Sequence, residues 1–182
     1  MDAIMERKLQ ALLDKQEIID LLHAYCNAND RHDQAKVRAL YHEDAWDDHG
    51  IFFKGLAQEF VDKLPGIWAD MEILHHNMTT MNIKVDGDVG EGEIYVLAFH
   101  KIKKPGGGSM DLLIGGRYLD RYAKRNGVWK FAHRSVLADW AVTGDPPVVA
   151  LDSPILAGSY IGKPGPDDPS YGFFKILKRG ER

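Results

Sequence analysis

The residues best suited to move protons near neutral pH are two adjacent histidines, His75 and His76, which precede a stretch of alternating character. Histidine has an ordinary pKa close to neutral, so it serves as a general acid or base when a partner orients it. From Met78 to Val85 the residues alternate roughly with period two, which predicts a long β-strand with the histidines at its start. If the face that carries Thr80 lines a cavity, His76 lines it too.

A carboxylate would orient such a histidine, and Asp30 is a candidate. An amphipathic helix is predicted over residues 4–28, because apolar residues such as Leu12 and Leu13 recur at spacings near three and four. Asp30 lies in the polar cluster where this helix ends. An isolated aspartate there is typical of a helix cap or a solvated loop, so only a neighbouring partner would give it a role in chemistry.

Three other features carry ionisable groups. His100 shares a strand face with aliphatic residues, which fits either a core histidine bonded to a backbone carbonyl or a catalytic one. Arg134 has mostly apolar neighbours, so it is either a solvated charge or a buried cation that needs an anion. The stretch 42–55 combines acids and histidines, as zinc or iron sites do. It lacks a helical His-x-x-x-His pair and a facial triad, so we interpret it as a surface loop and short strand without a metal.

The elements that must position these residues are three helices and a sheet. A second helix is predicted after the polar cluster, and a third after Gly55 that Pro65-Gly66 breaks or bends. Strands over 91–103, 110–124 and 128–140 follow the histidine strand and make a four-stranded antiparallel meander with it. This order indicates an α+β fold in which the sheet curls around the helices and leaves a cone-shaped cavity for a small apolar ligand.

Composition limits the classes of function. The 182 residues, 45% hydrophobic and 27% charged, suffice for one soluble domain with a substantial core. The net charge of -4 argues against nucleic acid as a partner, and the single Cys26 excludes an internal disulfide and a cysteine-based metal cage. We expect a cytoplasmic protein without membrane contact, because no apolar run could span a bilayer and the N-terminus lacks the apolar core of a signal peptide.

The C-terminal segment, residues 144–182, departs in composition from the rest of the chain. Its many prolines and glycines argue against a regular helix or a central strand. Its apolar side chains nevertheless need burial. We therefore expect a domain over residues 1–143 and an extended arm over 144–182 that covers the mouth of the pocket or packs on a neighbouring subunit.

Four parts of the sequence resemble the SnoaL-like branch of the nuclear-transport-factor-2-like superfamily. They are YCNAND at 25–30, YHEDAWDDHGIFFKG at 41–55, the two histidines before VDGD, and GRYLDRYAKRNGVWKFAHR at 116–134. The resemblance covers nearly all of residues 5–142. The branch includes scytalone dehydratase, hexachlorocyclohexane dehydrochlorinase, bile acid 7α-dehydratase and polyketide cyclases. It therefore implies a cone-shaped α+β barrel, often a lyase, and commonly a homotrimer or homodimer.

The resemblance also implies roles for five side chains. The family's aspartate–histidine pair maps onto Asp30 and His76. Arg134 matches an arginine that assists in the dehydrochlorinase, Tyr25 a dehydratase tyrosine, and His100 a second histidine of scytalone dehydratase. The dehydrochlorinase has a lysine where this chain has Tyr25, which disfavours halide elimination and favours a hydroxylated or carbonyl-bearing substrate. By the same alignment, the walls of the substrate site would be Ile67, Met71, Leu74, Val96, Ile114 and Tyr118, although core packing explains these six equally well.

These residues predict a cofactor-independent lyase that acts on a small aromatic or alicyclic molecule. His76, oriented by Asp30, would abstract a proton, after which water leaves or a carbon–carbon bond breaks in a retro-aldol-like step. Tyr25 or His100 would donate to the substrate oxygen, and Arg134 would hold negative charge or anchor Asp30. Two alternatives stay open: a non-catalytic ligand-binding or assembly module, and an isomerase or cyclase that uses the same pair.

Overall fold

Helices pack against one mixed, mainly antiparallel sheet, so the predicted α+β fold is confirmed. The computed structural model describes residues 2–144, 148–149, 153–161 and 169–176. The helices are α1 (Ala3–Asp30), α2 (Gln34–Leu40), α3 (Ala57–Trp68) and the short α4 (Pro169–Phe173). The strands are β1 (Tyr41–Asp48), β2 (Lys54–Leu56), β3 (Met71–Asp86), β4 (Val89–Lys103), β5 (Ser109–Arg125), β6 (Val128–Thr143), β7 (Val148–Val149) and β8 (Tyr160–Ile161).

The sheet follows the order β2-β1-β6-β5-β4-β3, with β7 and β8 paired to β6. Strands β3 to β6 form the predicted antiparallel meander, whereas β1 runs parallel to β6. The tight turn between β5 and β6 uses Asn126 at φ 53° and Gly127 at φ 77°, the positive values that a two-residue hairpin turn requires. The meander therefore forms largely from local turn chemistry and alternating strands.

Helix α1 packs with its second half on β3 and β6. Ile18 and Leu22 are fully buried there, which holds the end of the helix against the sheet. The prediction that Leu12 and Leu13 share the buried face is wrong: they are 63% and 49% exposed. Most of the first half of α1 is exposed, although Asp14 is buried there and accepts from Lys124 and from the indole of Trp129.

Helix α3 runs unbroken through Pro65, so the predicted interruption at Pro65-Gly66 does not occur. Proline has no N–H to donate to the carbonyl four residues earlier, which is that of Val61. The side-chain amide of Gln34 donates to this Val61 carbonyl at 2.8 Å instead. A side chain from α2 thus replaces the missing bond of the helix.

Both histidines lie inside strand β3 and not at its start. The pairing of β3 with β4 shifts between Met78 and Met81, so the predicted alternation from Met78 is interrupted at the two threonines. Both methionines pack against the core, and the two threonines between them are exposed. Thr80 therefore does not share the face of His76, because the irregularity changes which residues point inward.

The described part of the C-terminal segment packs on the domain. Leu156 is buried against Leu112, Ala138 and Ala141, and β8 pairs in parallel with β6. Residues 169–173 form a helix of little more than one turn, where the composition predicted none; Pro169 stands at its first position, where a proline costs no hydrogen bond. Residues 145–147, 150–152, 162–168 and 177–182 of the predicted arm lie outside the described residues.

Candidate active site

Asp30 and His76 meet at the junction of α1 and β3. Asp30 is the last residue of α1, and its Oδ1 lies 2.7 Å from Nδ1 of His76. The backbone amide of His76 donates to both carboxylate oxygens, at 3.2 and 3.1 Å. The two side chains are only 8% and 10% exposed. An Asp30 carboxylate that accepts these bonds keeps the proton on Nδ1, which leaves Nε2 of His76 able to take a proton.

A third ionisable side chain, His100, lies beside this pair. In the pairing of β3 with β4, His76 lies opposite Ala98 and Leu74 opposite His100, so both rings project from one face of the sheet. The ring centroids of His76 and His100 are 5.9 Å apart, and the rings are nearly perpendicular.

His100 is a neutral imidazole in this environment. Burial lowers its pKa to about 4, and the neighbouring His76 adds to the shift. Its Nδ1 is buried and has no hydrogen-bond partner among the described residues. Hydrogen bonds to the backbone of Leu112 and Ala98 oppose the shift, as the interpretation of a core histidine bonded to a backbone carbonyl requires, but they leave Nδ1 without a partner in the described part of the chain.

Arg134 is a fully buried cation whose anion is Asp120. Its Nε and Nη2 donate to the two Asp120 oxygens at 2.8 and 2.7 Å, a bidentate pair. Arg134 is therefore bound to Asp120 and not to Asp30, so the predicted anchoring of Asp30 by Arg134 is wrong. The guanidinium carbon also lies 4.1 to 4.2 Å from the ring centroids of Tyr25, Tyr118 and Phe131. Its Nη1 is buried without a hydrogen-bond partner among the described residues.

Tyr25 belongs to the Arg134 group rather than to the Asp30–His76 pair. Its ring is buried under the guanidinium, and its hydroxyl lies 3.5 Å from Nε2 of His49. Burial raises the pKa of Tyr25, so the side chain stays a phenol that can donate a proton. The five predicted catalytic side chains thus fall into two neighbouring groups, Asp30, His76 and His100 in one and Tyr25 and Arg134 in the other.

A second aspartate–histidine pair, Asp47 and His49, was missed by the sequence analysis. Nδ1 of His49 hydrogen-bonds to Oδ1 of the fully buried Asp47, and the Tyr41 hydroxyl donates to Oδ2 at 2.7 Å. The His49 ring stacks on Phe60 with centroids 4.4 Å apart. The interpretation of residues 42–55 as a surface loop is therefore wrong, because β1 runs through the stretch and buries its inward side chains. In the described part of the chain, no cluster of three or more histidine, cysteine, aspartate or glutamate side chains could hold a metal ion.

The six predicted wall residues have different surroundings. Leu74, Val96 and Tyr118 are buried in the main core, and Ile67 packs at its edge. Met71 is partly exposed at the start of β3. Ile114 lies in the row of His76 and Ala98 but packs with the cluster that Leu156 covers. All six have packing contacts or partial burial, so a role in substrate binding stays a prediction.

An open groove of about 510 Å³ lies elsewhere, at the far end of the hairpin between β4 and β5. Its lining combines lysines and an aspartate with small polar groups: Lys101, Lys104, Ser109, Met110, Asp111, Thr143 and Gly144. It contains no histidine. We place the candidate site at Asp30 and His76 instead, because a buried carboxylate–imidazole pair has the chemistry of a proton-transfer site and the open groove does not.

A sequence profile of the SnoaL-like domain matches residues 10–135, and the chain belongs to this family. A search of curated proteins finds no match. Among solved structures, the chain is similar to a candidate scytalone dehydratase from Novosphingobium aromaticivorans, with 24% identity, a TM-score of 0.64, and coverage of 76% of this chain and 91% of that one.

Two further structures have the same fold. A hexachlorocyclohexane dehydrochlorinase from Novosphingobium barchaimii shares 22% identity over 79% of this chain and 94% of its own, with a TM-score of 0.65. A candidate aromatic ring hydroxylase from Novosphingobium aromaticivorans shares 23% identity over 78% and 96%, with a TM-score of 0.61. The recognition of the SnoaL-like branch and of its cone-shaped fold is thus confirmed. Within the described residues, no helix is both long and apolar enough to cross a membrane.

Proposed function

We propose that the chain is a cofactor-independent lyase that acts on a small aromatic or alicyclic compound with a hydroxyl group and a carbonyl. The observation that carries the proposal is the bond between the Asp30 carboxylate and Nδ1 of His76, reinforced by the His76 amide. The family and its dehydratase and dehydrochlorinase relatives in structure support a reaction of the elimination class.

The protein contributes proton transfers, and these accompany the breaking of one carbon–oxygen or carbon–carbon bond of the substrate. Nε2 of His76 takes a proton from the carbon next to the substrate carbonyl, and the charge of Asp30 stabilises the imidazolium that forms. The electron pair left on carbon then expels the hydroxyl group, which leaves as water after it gains a proton. If His76 takes the proton of the substrate hydroxyl instead, the adjacent carbon–carbon bond breaks in a retro-aldol step, and the His76 imidazolium returns the proton to the carbon of the enolate that is released. No redox or group-transfer cofactor takes part in either course.

The second group of side chains, Tyr25 and Arg134, would stabilise negative charge on the substrate. Arg134 is a permanent cation with one buried, unpartnered nitrogen, and the Tyr25 phenol packs against its guanidinium. These groups favour a substrate oxygen on which negative charge develops. Tyr25 lies five residues before Asp30, about 7.5 Å along the helix axis. The proposal requires a substrate that contacts both groups.

The aldol adduct of benzaldehyde and acetone is a suitable first probe, because each outcome gives a different product. Loss of water yields the conjugated ketone benzalacetone, and the retro-aldol step yields benzaldehyde and acetone. We expect His76→Gln to lower turnover by about 10²- to 10⁴-fold, the contribution of a positioned general base. His75→Gln is the matched control, because His75 is the exposed neighbour on the other face of β3.

Equal turnover by His76→Gln and wild type would contradict the lyase proposal and favour a ligand-binding module. Turnover in which the probe is rearranged and no fragment leaves would identify an isomerase or cyclase instead. Circular dichroism of both variants shows whether the fold is kept, so that a lost activity can be assigned to the imidazole.

We further propose a homo-oligomer, a trimer or a dimer, joined through the outer face of the sheet. Leu97 and Trp140 lie in one row of that face on either side of Gly115 and are 37% and 42% exposed. Tyr95 beside them is 43% exposed. Large apolar groups that adjoin on a surface are typical of an interface. We expect Trp140→Glu to shift the mass in sedimentation to that of a monomer; an unchanged mass would contradict this interface.

A further inference from the structure

The proposed reaction needs a general acid that complements the His76 base. We propose that His49, held by Asp47, is a positioning residue that returns a proton to Tyr25, so that Tyr25 acts as the general acid. The inference rests on the proposed function, because it names the donor to the leaving oxygen in that reaction.

The hydrogen bonds around Asp47 determine how His49 is oriented. One carboxylate oxygen accepts from the Tyr41 hydroxyl and the other bonds Nδ1 of His49. Burial, followed by the charge of Asp47, raises the pKa of Tyr41 well above its usual value, so Tyr41 remains the donor. Asp47 is therefore an acceptor on both oxygens, and Nδ1 carries a proton. Nε2 is the nitrogen that faces the Tyr25 hydroxyl.

Asp47 lies in a row of buried charges around Arg134. In the paired strands β5, β6 and β1, the residues Asp120, Arg134 and Asp47 lie opposite one another, and all three are fully buried. Arg134 donates to Asp120, whereas the side chains that bond Asp47 are His49 and Tyr41. The two carboxylates of the row therefore have different partners.

The proposed relay starts from His49 with a proton on both ring nitrogens. In this form Nε2–H donates to the Tyr25 oxygen, and the phenol O–H can point at the substrate. As the substrate C–O bond breaks, the Tyr25 O–H proton moves to the leaving oxygen and the Nε2–H proton of His49 moves to the Tyr25 oxygen. Tyr25 ends as a phenol and His49 as a neutral ring with its proton on Nδ1. The His49 side chain is 19% exposed, so it can recover the lost proton from water.

His100 is the competing candidate for the acid, and its environment disfavours that role. It lies beside His76 and is neutral, since burial lowers its pKa to about 4. A neutral imidazole is a very weak proton donor. Tyr25 is also a weak acid, but it has a second proton source within reach in His49, and the cation of Arg134 against its ring favours transient loss of its proton.

A double-mutant cycle on turnover of the aldol probe tests this assignment. We expect Tyr25→Phe to lower kcat by about 10²- to 10³-fold and His49→Gln by about 10- to 100-fold. The variant with both changes should be no slower than Tyr25→Phe alone, because His49 acts only through the Tyr25 hydroxyl. His42→Gln is the control: His42 is a buried histidine of the same strand whose Nε2 lies 2.8 Å from a backbone carbonyl, and its replacement should not depend on Tyr25.

Rescue by added imidazole is a second readout, because a purely structural role of His49 would not respond to it. It should restore turnover to His49→Ala but not to His42→Ala or to His49→Ala with Tyr25→Phe. Fully additive losses from Tyr25→Phe and His49→Gln, or no rescue by imidazole, would overturn the relay. Full activity of Tyr25→Phe beside an inactive His76→Gln would overturn the relay alone, and full activity of His76→Gln would overturn the proposed function together with it.

Discussion

The molecule contains two buried aspartate–histidine pairs that bond in the same way and differ in what lies on the other side of the ring. In both, a carboxylate oxygen bonds Nδ1 of the imidazole. Among the described residues, Nε2 of His76 has no hydrogen-bond partner, whereas Nε2 of His49 meets the Tyr25 hydroxyl. The first ring is therefore available to a substrate, and the second acts on another side chain. An aspartate–histidine pair can therefore act as a base where Nε2 is free, or position another side chain where Nε2 bonds that side chain.

The two pairs also differ in how the fold builds them. Asp30 and His76 are brought together by the packing of α1 on β3, and the carboxylate is bound mainly by the residue it orients. Asp47 and His49 lie two residues apart at the end of β1, and Asp47 is packed beside Arg134 and Tyr41. Asp30 should therefore matter more for turnover and Asp47 more for stability.

The largest expected effect is that of Asp30→Asn on turnover. An asparagine can no longer stabilise the imidazolium of His76 and can hold the wrong tautomer, so we expect kcat to fall by about 10³- to 10⁴-fold. Asp47→Asn should lower kcat by only about tenfold, because it acts through His49 and Tyr25. Steady-state kinetics on the aldol probe measure both; equal losses in the two variants would remove the distinction between the pairs.

Stability should respond in the opposite order. Asp47→Ala leaves a fully buried site next to Arg134 and His49 without its carboxylate, and we expect a loss of about 3–5 kcal/mol in the free energy of unfolding. Asp30→Ala removes bonds at a helix end and should cost about 1–3 kcal/mol. Urea unfolding followed by circular dichroism gives both values. A greater loss from Asp30→Ala would show that the Asp30 pair is the structural one.

The pH dependence of stability sharpens the account of the His76 site. The pKa of His100 is about 4 in the folded chain, below the ordinary value of about 6.5, so the unfolded chain binds a proton that the folded chain does not. This contribution to stability is complete above pH 6.5 and is lost as the pH falls toward 4, by at most about 3 kcal/mol. Urea unfolding of His100→Leu should show a flatter loss between these pH values than wild type; parallel curves would argue against a buried, neutral His100.

The smallest effect concerns the support of Asp47. Tyr41→Phe removes only the hydroxyl that donates to Asp47 Oδ2, and a bond to a charged group is worth about 1.5–3 kcal/mol. We expect a loss of stability in this range and a change in kcat of less than about threefold. A kcat that falls as far as in His49→Gln would show that Tyr41 helps to set the state of His49, which would extend the relay by one residue.

Much of the fold could be predicted from periodicity and turn chemistry. The four strands of the meander, the Asn126-Gly127 hairpin and the three helices follow from local signals. The pairing of Asp30 with His76 could not be obtained that way, since the two are far apart in sequence and only a family resemblance joined them. The irregularity after Met78 was hidden for a similar reason, because it arises from pairing with β4.

The Asp47–His49 pair was missed because its stretch is so rich in charge. A run of acids and histidines is usually solvated, and the cation that allows its burial, Arg134, comes from a distant strand. One local signal could have found it. Ala45 and Asp47 fall on the same face of a strand, and both are fully buried. The phase does not extend back to Tyr41, because Glu43 is exposed and the pairing of β1 with β6 shifts between Tyr41 and Trp46. A carboxylate that shares the face of buried residues in a strand is a candidate for burial, and a buried cation should be sought as its partner.

The central claim is that His76, oriented by Asp30, removes a proton from carbon. The most direct test is the exchange of hydrogen for deuterium at the carbon next to the carbonyl of the aldol probe, followed by proton NMR in deuterated water. We predict that wild type and His75→Gln accelerate this exchange and that His76→Gln and Asp30→Asn do not. Exchange by His76→Gln at the rate of wild type would contradict the account.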